Sequence, residues 1–418
     1  MKYLAVLGRQ PEISLAELEA ITGFEWQSNV FRRASGGWQA EDERAAPVAT
    51  GGGDAARERC LMPLEINRLG GTQKLAVELE QKPLEYLQSL PEGKITIGVS
   101  DYSKKASRKT AQLEALKLKK ILVRHGRSVR VVENKDAVLS TATSLHNGLS
   151  GKNERKIELI KVDDDWYRVI GVQDIDAYAK RDQARPARDA KVGMLPPKLA
   201  QVLINLCGLL PKESVVLDPF CGTGVVLQEA LLMGYKVYGT DLSDRMVEYS
   251  ERNLKWLLRD RNSHFEGVRS AAAREVAPAA RGDGPAGRAP KNDLFHLSVG
   301  DATSYTWRQP IDAVACEGYL GKPFSKIPTE MELKEQKQEC GAIIRGFLKN
   351  LAGQIKKDTP VVVAAPAWLR SNELYERLDI LDDIQNMGYN VNNKTREGLL
   401  YHREGQVVAR DILILRKK

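Results

Sequence analysis

The sequence is poor in cysteine, poor in aromatic residues and free of long apolar runs. Its 418 residues include five cysteines, an odd number with no CxxC pair, which argues against disulfides and a structural zinc site and favours a reducing cytoplasm. No apolar stretch reaches about eighteen residues, so we expect no membrane span. The histidines are few and scattered, and neither a metal-ligand spacing, a nucleophile elbow nor a Walker loop is present. We therefore expect no metal.

Charge is plentiful and unevenly distributed. Lys and Arg number 63 against 55 Asp and Glu, which gives a net charge of +8. Ten basic residues lie between positions 104 and 130, where Glu114 is the one acidic residue. A surface of a single sign repels itself unless a partner screens it, so the segment favours a polyanionic partner over a merely solvated helix face. The predicted contacts at its start are Lys104, Lys105, Arg108 and Lys109.

The first part of the chain mixes strands and helices, which predicts an α+β region over residues 1–174. Residues 1–8 favour a strand and residues 11–23 a helix. Ser14 is placed to cap that helix, with Glu17 three residues further on.

The basic stretch 105–126 predicts a second helix, because apolar residues recur along it at helical spacing. Its predicted apolar side consists of Leu113, Leu116, Leu118, Ile121 and Leu122. Two other segments, 34–57 and 263–292, are rich in small and charged residues and predict flexible insertions.

A domain linker is predicted over residues 175–193, which are polar, charged and interrupted by proline. Strands then alternate with helices over residues 194–418, which predicts a doubly wound α/β sheet with its ligand at the carboxyl ends of the strands. Residues 373–387 favour a helix. The last two apolar segments, 398–402 and 407–415, predict a closing hairpin.

The strongest local signal is an apolar strand that runs into Asp218 and a glycine-rich turn before a helix. Gly222 and Gly224 let the backbone turn tightly and approach a ligand. The next strand ends in Asp241, a residue type suited to binding ribose hydroxyls. Because the turn lacks a full GxGxxG, a ligand with ribose and adenine but no phosphate fits better, and S-adenosylmethionine is such a ligand. Asp301 could reach the adenine amino group, although Asp241 and Asp301 could instead be helix N-caps.

The predicted cofactor contacts therefore cluster in one turn and two further acids. They are Asp218, Pro219, Phe220, Cys221, Gly222, Thr223, Gly224, Asp241 and Asp301.

The run Asp218-Pro-Phe-Cys-Gly-Thr-Gly resembles motif I of class I methyltransferases, in the form found in amino-methylating enzymes. Residues 180–200 resemble the linker and cofactor-covering segment of THUMP-domain tRNA guanosine N2-methyltransferases, which act on position ten. Residues 3–20, 140–147 and 405–413 resemble other parts of that family, so the resemblance spans nearly the whole chain apart from the two insertions.

The resemblance implies a C-terminal Rossmann-like class I methyltransferase domain and an N-terminal α+β THUMP-containing RNA-binding region. It also implies S-adenosylmethionine as cofactor and tRNA as partner. Within the linker, Arg181, Arg185 and Arg188 are predicted to contact RNA phosphates, with a solvated linker as the alternative.

The sequence departs from this family after the fourth strand of the domain, where members carry Asp-Pro-Pro-Tyr. Here the residues are Cys316-Glu317-Gly318-Tyr319. The lone pair of guanine N2 is delocalised, so an acceptor must bind the amine hydrogens as the methyl group approaches. A thiol is a weak acceptor, so Glu317 would substitute for the family's Asp, whose place Cys316 takes. Tyr319 would stack on the base, a contact worth about 1–3 kcal/mol.

The combined prediction is an S-adenosylmethionine-dependent tRNA guanine-N2 methyltransferase acting near position 10. A DNA amino-methyltransferase remains open because it shares motif I, and Cys316 leaves open a catalytically silent tRNA-binding homologue. A nicotinamide-dependent dehydrogenase is disfavoured by the missing third glycine. An activating protein subunit is not readable from the sequence.

Overall fold

The computed structural model describes residues 2–23, 25–28, 31–34, 37–40, 48–52, 64–189, 194–259, 294–308 and 310–418. Its contacts divide the chain into two compact units, Met1–Ala179 and Lys180–Lys418. Within these described ranges, no helix combines the length and the apolarity that a membrane crossing needs.

The N-terminal unit is built on an eight-stranded sheet with the order β2-β5-β1-β6-β10-β9-β7-β8. Its pairings are antiparallel except that β7 is parallel to both β8 and β9. The elements up to the division are β1 (Lys2–Leu7), α1 (Pro11–Thr22), β2 (Gln27–Ser28), β3 (Phe31–Ala34), β4 (Gly37–Ala40), β5 (Val48–Gly52), a 3-10 turn (Ile66–Arg68), β6 (Thr72–Glu78), α2 (Pro83–Ser89), β7 (Ile95–Asp101), α3 (Arg108–Arg124), β8 (Val129–Val131), α4 (Thr141–His146), β9 (Lys156–Val162), β10 (Asp165–Val172) and α5 (Ile175–Gln183).

Two predicted irregular segments contain regular structure. In the predicted insertion 34–57, β5 pairs antiparallel with β1 in the main sheet, while β3 and β4 form a separate hairpin. The remainder of that segment, and all of 263–292, lies outside the described residues. The predicted linker 175–193 begins with helix α5, and the division between the units falls inside it.

The predicted capping of α1 by Ser14 and Glu17 is wrong. The helix begins at Pro11, so both side chains lie one turn or more inside it and are buried. The Glu17 carboxylate accepts the backbone N–H groups of Gly70 and Gly71 at 2.9 and 2.8 Å. The Ser14 hydroxyl donates to the Gly71 carbonyl at 2.6 Å. The two residues therefore fasten α1 to the turn before β6.

The predicted apolar side of helix α3 is only partly correct. Leu118 and Leu122 are buried, but Leu113 and Leu116 are 46% and 45% exposed. The buried stripe is completed by two alanines, Ala111 and Ala115, at i, i+4, i+7 and i+11 with the leucines. Small residues on that face let the helix pack close to the sheet. Leu113 and Leu116 lie on the opposite side of the helix and are therefore exposed.

The C-terminal unit is a doubly wound sheet. Taking β11 as strand 1, the order is 3-2-1-4-5-7-6, with parallel strands up to the fifth and an antiparallel seventh. Its elements are α6 (Pro197–Leu206), β11 (Val215–Asp218), α7 (Val225–Leu232), β12 (Lys236–Asp241), α8 (Asp244–Arg259), β13 (Phe295–Val299), β14 (Ala313–Glu317), α9 (Glu330–Ala352), β15 (Pro360–Leu369), β16 (Tyr375–Arg377), α10 (Leu381–Asn386), β17 (Tyr389–Val391), α11 (Asn393–Glu397), β18 (Leu400–Tyr401) and β19 (Val408–Lys417).

The strand order reverses between β11 and β14, and ligands of such sheets bind beyond the carboxyl ends of the strands at that point. The predicted closing hairpin is confirmed, because β18 pairs antiparallel with β19. The predicted helix over 373–387 is wrong in its first half. There β16 pairs with the end of β15, so tertiary pairing overrides the local helical preference.

A buried carboxylate on β19 predicts an unusual dependence of stability on pH. Burial raises the pKa of Asp411 to about 6, and the Arg377 guanidinium 3.9 Å away offsets only part of that rise. A raised folded pKa costs stability as pH rises above the unfolded value, and the whole cost is present above the folded pKa. Asp411→Asn should therefore raise the melting temperature by about 5 °C at pH 7.5 and by much less at pH 4.5.

Thermal melts of both proteins at the two pH values test this. An Asn variant that melts below the wild type at pH 7.5 would show that the contact with Arg377 outweighs the cost of burying the charge.

Candidate active site

The turn after β11 is shaped by two glycines in the left-handed region. Gly222 has φ 50° and Gly224, which begins α7, has φ 79°. A Cβ on Gly224 would lie 2.9 Å from Ser250 Oγ, so only glycine permits this approach of the turn to α8. Gly224 N–H also donates to the Cys221 carbonyl at 2.7 Å. The turn is therefore fixed by its backbone and by α8.

Three predicted acids surround this turn with different partners. Asp241, at the end of β12, accepts backbone N–H groups of Gly222 and Ser243, both at 2.9 Å. Asp218 is 2% exposed and accepts the Phe220 N–H at 3.2 Å. Burial raises the pKa of Asp218 well above its ordinary value, and the carboxylates of Asp241 and Glu317 act in the same direction.

Asp301 is exposed and stabilises the turn that follows it. Its Oδ1 accepts the N–H of Thr303 at 2.8 Å and its hydroxyl at 2.7 Å. These bonds hold the pKa of Asp301 below its ordinary value. Asp301 is therefore an ionised acceptor at the cavity edge whose bonds to Thr303 leave Oδ2 open.

A cavity of about 1090 Å³ in the C-terminal unit collects nearly all the predicted cofactor-binding and catalytic residues. Those lining it are Asp218, Pro219, Phe220, Cys221, Gly222, Thr223, Asp241, Asp301, Glu317 and Tyr319. Gly224 and Cys316 are not among the lining residues. Gly224 thus acts on the backbone of the turn rather than on a ligand.

The cofactor end of this cavity has the features that S-adenosylmethionine requires. The Asp241 carboxylate can receive ribose hydroxyls, and the neighbouring Leu242 is 75% exposed, which leaves an apolar surface for an adenine ring. A Cβ on Gly222 would meet only the Phe220 carbonyl oxygen, at 3.9 Å, so the turn leaves open space for a ligand. The residues present therefore fit the cofactor.

The other end of the cavity is formed where β14 ends. Glu317 is the last residue of β14, its side chain is 17% exposed, and its Oε1 accepts a hydrogen bond from Nε of Arg410 on β19. Burial raises the pKa of Glu317, and the Arg410 guanidinium opposes that rise. Tyr319 follows, partly exposed, with its hydroxyl donating to Glu339 at 3.3 Å.

The assignment of Cys316 as a catalytic residue is wrong. Its side chain is fully buried in the core between the sheet and α9, and burial raises its thiol pKa well above the ordinary value. The residue at the strand end is Glu317, which pairs in register with Ala364. Gly318 N–H then donates to the Ala364 carbonyl at 3.0 Å, a bond that a proline could not make. Glu317 is thus the residue at the end of β14 that lines the cavity.

Sequence reasoning missed Arg410 as a site residue. It is 4% exposed, lines the cavity and is separated from Glu317 by 93 positions. The available signal was the pair Arg410-Asp411, which interrupts the apolar residues of strand β19 well before its basic end.

Two of the three linker arginines predicted to contact RNA phosphates are buried, so that assignment is wrong for them. Arg181 is 7% exposed and binds the Glu229 carboxylate at 2.6 and 3.2 Å. Arg185 is 3% exposed and contacts Met194 Sδ at 3.2 Å. Arg188 is exposed, donates to the Gln183 carbonyl at 3.1 Å, and stays a predicted contact.

The linker is packed rather than solvated because a buried amide holds it. Asn253 accepts the Ala187 N–H and donates to the Ala187 carbonyl, both at 2.9 Å. The same amide nitrogen donates to the Thr223 carbonyl at 2.9 Å. The residues before Ala190 are thereby joined to the turn after β11, which we call the cofactor turn.

The predicted basic cluster of the N-terminal unit is exposed. Its residues are Lys104, Lys105, Arg108 and Lys109. Arg108 bonds Glu133 at 3.0 Å, but both side chains are more than half exposed, so this pair is weak and exchangeable. Over the described ranges, no group of three His, Cys, Asp or Glu is placed to hold a metal ion.

Comparison with protein families gives two matches. Residues 185–336 match the family described as "RMKL-like, methyltransferase domain". Residues 104–252 match a second family, described as "DNA methylase". The first match covers the cofactor turn, the ends of β12 and β14, and Tyr319.

Curated relatives match over short stretches. A tRNA (guanine(10)-N2)-dimethyltransferase of Methanothermobacter thermautotrophicus is 46% identical over 18% of this chain and 22% of the relative. A protein of the same name from Pyrococcus abyssi is 47% identical over 15% of this chain and 18% of the relative. The match thus spans about a fifth of the length of these relatives.

Solved structures align over the whole chain with low scores. TrmN from Thermus thermophilus covers 100% of both chains at 17% identity and a TM-score of 0.41. A possible methylase from Clostridium difficile 630 covers 99% of this chain and 97% of that chain at 12% identity and a TM-score of 0.40. The fold therefore rests on the strand order, which together with the matched domain shows a class I methyltransferase fold in the C-terminal unit. S-adenosylmethionine is the cofactor of that fold.

Proposed function

We propose that this protein transfers a methyl group from S-adenosylmethionine to the exocyclic amine of a guanine in tRNA. One observation carries the proposal. A buried carboxylate, Glu317, and a partly exposed ring, Tyr319, share a cavity with the turn that fits the cofactor. An acceptor for amine hydrogens and a stacking surface are what methylation of a base amine requires. The names of the curated relatives support guanine N2 of tRNA as the target.

The cofactor end is proposed to act by binding and orientation. Asp241 accepts the ribose hydroxyls, Leu242 covers one face of the adenine, and Asp301 receives its amino group. Asp218 and the backbone of the turn shape the wall beneath the cofactor. When bound, S-adenosylmethionine supplies an electrophilic methyl group on a positively charged sulfur.

At the acceptor end, Glu317 is proposed to accept a hydrogen of the base amine through Oε2. This localises the nitrogen lone pair toward the methyl group, and the carboxylate can take the proton released as the new N–C bond forms. Tyr319 stacks on the base, which fixes the direction of approach. None of these steps uses a metal or a covalent enzyme intermediate.

The N-terminal unit is proposed to be a THUMP-like tRNA-binding region. Its cluster of Lys104, Lys105, Arg108 and Lys109 would bind phosphates by charge and by release of counterions. Arg188 of the linker is an additional candidate contact.

Methyl transfer from labelled S-adenosylmethionine to unmodified tRNA transcripts, followed by nucleoside mass spectrometry, tests the proposal. We expect N2-methylated guanosine, and a transcript with another base at the target position should accept no label. Transfer to a different base would keep the reaction class and overturn the guanine assignment. No transfer to any transcript would overturn the proposed function.

Asp241→Ala should raise the KM for S-adenosylmethionine about 10- to 100-fold with a smaller effect on kcat. The reason is that a hydrogen bond from a ribose hydroxyl to a charged group contributes about 1.5–3 kcal/mol. Calorimetric titration with the cofactor measures the same loss without turnover. Asp382→Ala, on the exposed side of α10, is the matched control. Equal cofactor affinity in the wild type and Asp241→Ala would remove Asp241 from the binding site.

Amino-methylation of DNA is a second candidate, supported by the match of residues 104–252 to the DNA methylase family. Competition between tRNA and duplex DNA for the labelled methyl group separates the two candidates. The catalytically silent alternative rests on Cys316 in the acceptor place. Against it, Glu317 lines the cavity and Cys316 is buried, which supports an active enzyme.

A further inference from the structure

Arg410 is a buried cation with hydrogen-bond donors that its contact with Glu317 does not use. Its side chain is 5% exposed, and its Nε donates to Glu317 Oε1. Among the described residues, its two terminal nitrogens have no hydrogen-bond partner, and the residue lines the cavity. The guanidinium carbon lies 6.0 Å from the centroid of the Tyr401 ring.

The surroundings of Glu317 otherwise disfavour its charged form. The other titratable groups that line the cavity, besides Glu317 and Arg410, are Asp189, Asp218, Cys221, Asp241, Asp301, Tyr319, Lys322 and Glu339. Burial opposes the ionisation of Glu317, and Lys322 is exposed to solvent, which screens its charge. A buried carboxylate without a bonded cation takes up a proton. Arg410 is the cation that contacts Glu317.

Protonation would reverse what Glu317 offers a substrate. An ionised carboxylate only accepts hydrogen bonds, whereas a protonated one presents an O–H donor. A donor facing an amine N–H is repulsive. Because Arg410 already bonds Oε1, a proton on Glu317 would lie on Oε2, so the amine is held best while Glu317 stays ionised.

We propose that Arg410 is a positioning residue that fixes Oε1 of Glu317, holds the carboxylate ionised and leaves Oε2 free to accept the amine hydrogen. This inference rests on the proposed function, in which Glu317 touches the base amine. The contact through Nε is directional, because the planar guanidinium fixes the carboxylate rotation as well as its charge. A lysine supplies the charge without that geometry.

The first test is the pH profile of methyl transfer in Arg410→Gln, Arg410→Lys and the wild type. In Arg410→Gln, the acidic limb of kcat should move up by at least one pH unit, because Glu317 protonates more readily. At pH 7, kcat should fall about 100-fold while the KM for tRNA changes little. Arg410→Lys should recover part of kcat and most of the shift in the acidic limb. Arg416→Gln, an exposed residue of the same strand, is the matched control.

The second test needs no turnover. It distinguishes a charge interaction between Arg410 and Glu317 from a mere packing role of the Arg410 side chain. Melting temperatures of the wild type, Arg410→Gln, Glu317→Gln and the double variant are measured between pH 5 and pH 8. The difference between the wild type and Arg410→Gln should be largest at pH 8 and should shrink as the pH falls and Glu317 takes up a proton. In the double variant this pH dependence should vanish.

Each outcome bears on a different statement. A loss of stability independent of pH, or an unshifted acidic limb in Arg410→Gln, overturns the role of Arg410. A wild type that methylates no nucleic acid while the melting data show pH-dependent coupling overturns the proposed function and leaves the ion pair established.

Discussion

The Glu317→Gln variant is expected to retain binding of S-adenosylmethionine and tRNA and to lose methyl transfer by about 10²- to 10⁴-fold. The reason lies in the fixed partner Arg410, whose Nε requires an acceptor. The amide oxygen of the new glutamine will turn to Arg410, which directs the amide NH2 into the cavity. A donor then faces the amine of the base, and the variant cannot take up the released proton.

Single-turnover kinetics with saturating enzyme in excess over tRNA measure this loss apart from binding. Two variants in the same strand, β14, sharpen the result. Glu317→Asp keeps the charge but withdraws it by one methylene, so it should retain part of the rate. Cys316→Ala should keep kcat within about threefold and lower stability by about 1–2 kcal/mol, because the thiol packs in the core. The opposite pattern, with Cys316→Ala inactive and Glu317→Gln active, would return the acceptor role to the thiol.

The cofactor end of the site could be predicted from the sequence because its signals are local. The strand before Asp218, the two glycines and the acid that ends β12 follow one another in the chain, and their spacing alone indicates the turn. In the structure, Asp218, Gly222 and Asp241 line one cavity, and Gly224 shapes the backbone of the turn.

The acceptor end could be predicted only in part because it depends on contacts distant in sequence. Whether Cys316 or Glu317 faces the cavity depends on the register of β14 against β15. A shift of one residue exchanges the two faces of a strand. The partner Arg410 lies on an antiparallel strand added next to β15, and no local pattern indicates which β14 residue it will meet.

The errors in secondary structure and in the assignment of surface residues have the same physical origin. Ser14 and Glu17 follow the spacing of a capping box, but the turn before β6 uses both. Likewise, the polar sequence around Arg181 suggests an exposed side chain. It is buried because it binds the carboxylate of Glu229 on the mostly apolar helix α7. In each case, a polar group that is distant in the sequence binds the side chain and thereby determines its position.

Arg181→Met is accordingly expected to act on stability and not on RNA affinity. Arg181 and Glu229 are 8% and 1% exposed, so removing the arginine leaves an unpaired buried carboxylate. Breaking such a pair costs about 3–5 kcal/mol, which corresponds to a fall of roughly 10 °C in the melting temperature of the C-terminal unit. The double variant Arg181→Met/Glu229→Gln should recover much of this loss, since it buries no charge.

The contrast with the exposed basic cluster makes this prediction decisive. Lys104→Ala/Lys105→Ala should leave the melting temperature unchanged and weaken tRNA binding, lowering the salt dependence of the affinity by about 0.7–0.9 for each phosphate that the protein no longer neutralises. Fluorescence anisotropy with labelled tRNA at several salt concentrations, beside thermal melts, measures both effects. If Arg181→Met instead lowers the salt dependence at an unchanged melting temperature, the linker arginine contacts phosphate after all. Its bond to Glu229 would then have to open on RNA binding, at the cost of exposing a carboxylate that the fold otherwise buries.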